Sequence, residues 1–463
     1  MFAPHTYIER RKKLKEKVGT GIILLLGNEE SSINFKDNWY HYRQDSSFLY
    51  YFGITHPGLT GIINCDSGEE IIFGDELTID HIVWSGSQPT IAQLASKCGV
   101  NKTLPTSKIA SSLKGLVHYL PPYRTKNQWK LSEWLGSPMN FISKGASIEL
   151  IKAIVSMRSY KTAEELTEIE KAVNITADMH LGAMRYAKKG MLEAEIVGKI
   201  QQIAISGGGN LSFPVILSKD GQILHNHYHG NVLQEGDMIL CDTGAETTMG
   251  YAGDMTRTFP VGHEFTQRQK ELYQIVLDTH EAAIAALTPG IQYKDVHLLA
   301  GKTLVNGLIE VGLMKGNAEE AVSAGAHTMF FQCGLGHMMG LDVHDMEDLG
   351  EQYVGYNDSL NKSTIFGLKS LRLGKKLEKD FVITVEPGIY IIPELIDMWK
   401  AENKHAEFIN YDLLETYKDF GGIRIEEDFV ITESGSRLLG KPVAKTINDV
   451  EQVRAESLGL MHE

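Results

Sequence analysis

"CDTGAETTMGYAGDMTRTFP", residues 241–260, places two aspartates, Asp242 and Asp254, directly behind apolar or small-residue runs that read as buried strand. Desolvation penalises a charged carboxylate, so an isolated acid in such a place is costly. Three further polar exceptions interrupt apolar stretches downstream. Glu386 lies in "VITVEPG", a strand ended by Pro387-Gly388. Glu426 lies in "GGIRIEEDFVIT", where alternation puts Arg424, Glu426 and Asp428 on one strand face. His337 lies in "CGLGHMMGLDVHD", where glycines permit close backbone approach.

Four carboxylates and one imidazole are oxygen and nitrogen donors, a set suited to hard divalent cations such as Mn²⁺ and unlike a tetrahedral sulfur site. Two divalent cations would neutralise the four acids, which without them repel one another. The competing reading pairs each buried acid with an arginine or with backbone N–H groups and leaves His337 as a satisfied core histidine. Spacing alone does not choose, because the five residues are far apart in the chain.

Around this constellation, 463 residues exceed what a single hydrophobic core serves, so two domains are expected. Residues 1–156 alternate short apolar strands ("GIILLLG", "LTGIINCD", "EEIIFG") with helix-like stretches, which predicts an α/β domain. Residues 121–138 read as a loop-rich excursion. In residues 157–463, Thr162 and Glu165 form a capping box ahead of a helix carrying Leu166, Ile169, Val173 and Ala177. A second helix carries Ile196, Ile200 and Ile203 and stops at Gly207-Gly208-Gly209. Strand-like runs then alternate with helices over 266–287 and 293–313, so this half is α+β.

A formal net charge of −14 argues against nonspecific binding to nucleic acid or to an anionic membrane. The cluster Arg10, Arg11, Lys12, Lys13 and Lys15 reads as a solvated helix face. No apolar run reaches the roughly 20 residues of a membrane span. The cysteines Cys65, Cys98, Cys241 and Cys333 are scattered without a CxxC pair, which favours reduced thiols and a cytoplasmic location.

Taken as a set, "ILH" (223–225), "CDTGAE", "YAGDMTRTFPV", "GLGHMMGLDVHD", "VEPGIY" and "GIRIEEDFVIT" resemble the creatinase-fold, or pita-bread, metallopeptidases, and within them aminopeptidase P and prolidase. "YRQDSSFLYYFGI" and "VWSG" resemble the N-terminal domain those peptidases share, so the likeness covers nearly the whole chain. The resemblance implies a pita-bread catalytic domain holding two divalent cations, Mn²⁺ first. Asp242 would bind one, His337 with Glu386 the other, and Asp254 with Glu426 would bridge them. It further implies hydrolysis of the bond before proline: Glu386 carries the proton, His344 stabilises the oxyanion and His225 borders the leaving group. Arg424 would orient the bridging carboxylate.

The substrate implied is a proline-containing peptide, with Xaa-Pro aminopeptidase as the main expectation. Prolidase is the alternative, in which Arg372 would pair with a dipeptide's carboxylate. Asp37 and Trp84 match N-domain positions that in relatives reach a neighbouring subunit's active-site mouth, which implies a homodimer or larger assembly. Two departures stand out. Cys333 occupies a place where relatives carry histidine, and "HNHYH" adds His227 and His229, which read as solvated. A non-catalytic peptide-binding module of the same fold is a distant alternative, disfavoured by the intact ligand set. GxSxG, HExxH, GxGxxG and Walker patterns are missing.

Overall fold

The computed structural model describes residues 1–460, which form two compact units: 1–158 with 346–353, and 159–345 with the described residues from 354 onward. The first unit is built on a five-stranded mixed sheet ordered Lys102–Leu104, Glu70–Phe73, Thr60–Asn64, Ile22–Leu26 and Val117–Tyr119. Its inner pairs are antiparallel and its outer pairs parallel. The Ile22–Leu26 strand has only apolar residues because helices and loops cover both its faces. Ile22 and Leu24 join Ile62, Ile71, Phe73, Ile109, Leu131 and Ile142 in one core cluster.

Two expectations for this unit are corrected. Residues 121–138 are not loop-rich: Thr125–Leu135 is a helix that buries Asn127 and Leu131 at i,i+4, and only its Pro-Pro and Gly-Ser-Pro flanks are irregular. The basic cluster is a solvated face only in part: Lys12 and Lys13 are exposed, but its two arginines are not. On the helix Pro4–Val18, Arg10 and Arg11 are buried. Arg11 donates to Glu70 and to the carbonyls of Tyr51 and Cys98, while Arg10 stacks 3.8 Å from the Tyr50 ring. Arg11 tolerates burial because each of its three nitrogens donates to an acceptor.

In the second unit the capping box at Thr162 opens the helix Ala163–Tyr186, followed by Glu193–Ser206 packed against it. Helices Gln267–Ala285 and Tyr293–Glu310 pack as a second pair. Between them run short antiparallel strands. Met238–Thr243 is flanked by Ile216–Ser218 and Met255–Pro260, and Val382–Val385 pairs with Glu427–Ile431. Gly388–Tyr390 pairs with Gly422–Arg424. Isolated bridges Thr256↔Glu426 and Met338↔Ile383 connect the pieces.

Two close approaches decide where the polar side chains fall. A Cβ on Gly244 would sit 1.9 Å from the Gly253 carbonyl oxygen, so glycine lets the chain close up beside the turn between Met238–Thr243 and Met255–Pro260. A Cβ on Gly336 would sit 2.1 Å from the Thr384 carbonyl oxygen, and glycine there brings His337 against the strand that ends at Glu386.

Candidate metal centre

Thr256 is paired with Asp242 on one side and with Glu426 on the other. Residues directly opposite across antiparallel strands point to the same face, so Asp242, Thr256 and Glu426 form one row across three strands. Asp254, two residues from Thr256, joins that face from the strand's start. Glu386 follows the last residue of Val382–Val385, and His337 is placed by the adjoining Met338↔Ile383 bridge.

The five residues line one cavity of about 550 Å³ together with His225, His227, His344, Arg372 and Arg424. Its apolar wall comes from Phe213, Pro214, Ile216 and Leu224. Ligand atoms of Asp254, His337 and Glu426 lie within 4.8 Å of one another. His337 Nε2 is 3.4 Å from Asp254 and 3.6 Å from Glu386. Its Nδ1 sits 3.0 Å from the Met338 carbonyl oxygen, which makes Nδ1 the protonated nitrogen and turns Nε2, as a lone pair, toward the acids.

These acids are under-compensated. Burial, then the charges of Asp242, Asp428 and Glu386, push the Asp254 carboxyl well above the ordinary range. Burial and the neighbouring Asp254 and Glu386 do the same to Glu426, and burial also raises Glu386. Asp242 Oδ1 and Asp254 Oδ1 are buried and have no hydrogen-bond partner. The two guanidiniums in the cavity, Arg424 and Arg372, do not neutralise four carboxylates. Orphaned acid oxygens around a lone-pair imidazole nitrogen are what divalent cations satisfy, so this donor set fits them.

Arg424 reaches Glu426 through an intervening hydroxyl. Its Nη2 donates to Asp242, its Nη1 to the Tyr390 hydroxyl at 2.8 Å and its Nε to the Thr256 hydroxyl at 3.0 Å. Thr256 then donates to Glu426 at 2.6 Å. The strand carrying Arg424 and Glu426 is also not continuous: Gly422–Arg424 and Glu427–Ile431 are separate, with Glu426 in the Thr256 bridge between them. Asp428 accepts from the Asp254 backbone N–H at 3.0 Å and so fixes the main chain beside that acid.

At the rim, the His344 ring lies 4.2 Å from that of His337, edge to face. Burial lowers the pKa of His225, leaving a neutral ring. Residues 221–230 form turns and loop rather than a strand, and His227 lines the cavity instead of only facing solvent. His229 lies with Nδ1 3.1 Å from the Leu217 carbonyl oxygen. Cys333 Sγ stands 3.7 Å from the Tyr390 hydroxyl, and burial holds its thiol up at about 12. Asp37 is exposed and lines a groove of the first unit, and Trp84 is 89% exposed on the short helix Ile79–Ser85. Sequence reasoning missed Thr256, Tyr390 and Asp428 as parts of the network. All three lie inside quoted motifs, but the neutral hydroxyls of Thr256 and Tyr390 carry no signal by themselves.

Residues 167–433 match the family model described as Metallopeptidase family M24, and residues 7–121 match that of the aminopeptidase P N-terminal domain. The chain is 32% identical to human Xaa-Pro dipeptidase over 96% of its own length and 91% of the relative's. It is 30% identical to Xaa-Pro aminopeptidase of Escherichia coli K12, covering 96% of both. Among solved structures it resembles Pseudomonas aeruginosa aminopeptidase PepP with a TM-score of 0.81 at 26% identity, covering 99% of both chains. Escherichia coli aminopeptidase P, solved with zinc substituted and product bound, gives 0.81 at 28% identity over 98% of this chain and 99% of that one. The two-part architecture is accordingly an α/β N-terminal domain followed by the pita-bread catalytic domain.

Proposed function

The chain belongs to metallopeptidase family M24, and from that premise we propose that it is an Xaa-Pro aminopeptidase, hydrolysing the bond between an N-terminal residue and proline with two divalent cations in the 550 Å³ cavity. The observation that carries this reading is the knot of Asp254, His337 and Glu426 ligand atoms within 4.8 Å, bordered by Asp242 and Glu386 in the same cavity. We assign Asp242 to one cation, His337 and Glu386 to the other, and Asp254 and Glu426 to both. Mn²⁺ suits this oxygen-rich set. Residues 1–156 and 157–463 are taken as the two domains.

When bound, such cations lower the pKa of water and polarise a carbonyl. The rest is the work of side chains. Glu386 accepts a proton from the attacking water and passes it to the departing proline nitrogen, which has no hydrogen of its own before cleavage. His344, at the cavity wall beside His337, donates to the developing oxyanion. His225 offers a neutral imidazole near the leaving group. Phe213, Pro214, Ile216 and Leu224 supply an apolar wall for the pyrrolidine ring.

One observation favours a second reading, prolidase: Arg372 and Ser370 line the same cavity, where a guanidinium would pair with a free carboxylate. Comparing hydrolysis of Ala-Pro and Ala-Pro-Ala by the Mn²⁺-loaded chain decides between them. Preference for the tripeptide supports the aminopeptidase, and cleavage of the dipeptide alone, lost in Arg372→Ala, supports prolidase. Full activity of both after exhaustive chelation would reject a metallopeptidase mechanism.

Two further assignments belong to this reading. The scattered thiols, all free, suit a reducing cytoplasm. The helix Ile79–Ser85 buries none of its side chains, yet carries Ile79, Val83 and Trp84. A seven-residue helix is not stable in water without a covered apolar face, so a second copy of the chain is assigned to it.

A further inference from the structure

Thr256 has no charge, sits fully buried and lies at the centre of the acidic row, paired across strands with both Asp242 and Glu426. A hydroxyl has one proton to give and lone pairs to receive with. Here the receiving side is taken by Arg424 Nε–H at 3.0 Å. The one proton therefore goes to Glu426 Oε2, at 2.6 Å. That length is the usual one for a hydroxyl donating to a carboxylate.

The strength of this link depends on its direction. A guanidinium can only donate and an ionised carboxylate, the form that ligates a cation, can only accept, so the Thr256 hydroxyl receives from Arg424 and gives its proton to Glu426. Each link thus has a single polarity from Arg424 to Thr256 to Glu426. The hydroxyl occupies one carboxylate oxygen, Oε2, and leaves Oε1 with no hydrogen bond competing for it. Thr384 offers an internal contrast. It sits two positions from the cavity acid Glu386, as Thr256 does from Asp254, and receives the backbone N–H of His337 at 3.1 Å, but its hydroxyl is 3.4 Å from Glu386, too far for a bond comparable to that of Thr256 with Glu426.

We propose that Thr256 is a positioning residue for cation binding: its hydroxyl, oriented by Arg424, pins Glu426 so that one carboxylate oxygen is presented to the metal. The inference rests on the cation reading above and assigns it a residue that never touches the ion. Hydrogen-bond partners of ligating groups are worth about 10–100-fold in metal affinity.

The test is calorimetric titration of Mn²⁺ into the metal-free full chain, comparing Thr256→Ser with Thr256→Ala, which differ only in the hydroxyl. Wild-type chain and Thr256→Ser should bind within about threefold of each other, and Thr256→Ala at least tenfold more weakly, while Thr384→Ala loses less than Thr256→Ala. Circular dichroism of the metal-free variants checks that each is folded. Should Thr256→Ala not fold, the near-isosteric Thr256→Val takes its place in the comparison. Equal affinity of the Ser and hydroxyl-free variants overturns the role of Thr256 and leaves the cation reading intact. No Mn²⁺ uptake by wild-type chain overturns both.

Discussion

Arg424 donates from its guanidinium to Asp242, a buried ion pair set between two arms of the same cavity. The same planar group also serves Tyr390 and Thr256, so three acceptors depend on one fork. Arg424→Lys keeps the charge but not the fork geometry. We expect both Arg424→Lys and Arg424→Ala to lower kcat/KM on an Xaa-Pro substrate by about 10–100-fold, the range found when such supporting partners are removed. Full activity in the lysine variant would show that charge alone suffices. Removing one partner of a buried pair costs about 3–5 kcal/mol. Urea unfolding of metal-free Arg424→Ala should register that loss.

Cation binding should raise the stability of the catalytic unit, because the acids it compensates are buried and mutually repulsive. At a hundredfold excess over Kd the gain is about 2.7 kcal/mol. A thermal melt with and without Mn²⁺ reads it directly. Asp254→Ala should remove most of that gain together with turnover, since Asp254 is within reach of both His337 and Glu426. A melt that Mn²⁺ leaves unmoved in wild-type chain would contradict the assignment.

Acid should weaken this protein through histidines outside the site. His180, His280 and His297 are fully buried, and burial holds their pKa at about 3; His327 is held at about 4. The folded chain keeps these rings neutral while the unfolded chain protonates them below the ordinary value of 6.5. Their contribution is complete above about pH 6.5 and is lost as pH falls towards 3–4, at about 1.4 kcal/mol per histidine per pH unit. The clustered carboxylates, whose pKa values are raised, act in the opposite sense. His297→Leu isolates the histidine share: its unfolding free energy should fall less steeply between pH 6.5 and 5 than that of wild-type chain. Parallel slopes would exclude His297 as a contributor.

Assembly can be tested at the uncovered helix. Size-exclusion chromatography with light scattering should give a dimer or larger species for wild-type chain and a smaller one for Trp84→Ser. A monomeric wild-type chain would assign that apolar face to another partner.

Much of the fold was legible because burial leaves a periodic trace. The capping box at Thr162, the helices after it and the apolar strand Ile22–Leu26 all follow from local pattern. The convergence of Asp242, Asp254, His337, Glu386 and Glu426 on one cavity was not readable from spacing, only from motif resemblance. What escaped depends on contacts distant in sequence. Arg10 and Arg11 look solvated until Tyr50, Tyr51, Glu70 and Cys98 arrive to receive them. His227 is exposed, as a surface residue should be, yet it also lines the cavity, which no local pattern shows. The route from Arg424 to Glu426 through Thr256 exists only once three strands are in register.

That cross-strand row has a wider meaning. Slipping any one of its strands by a single residue would swing that strand's polar groups to the opposite face, so a wrongly zipped sheet cannot assemble the same oxygens. Ion uptake is thus a built-in proofreader of chain pairing: a molecule that captures metal has, by that act, certified that its distant segments were stitched together correctly.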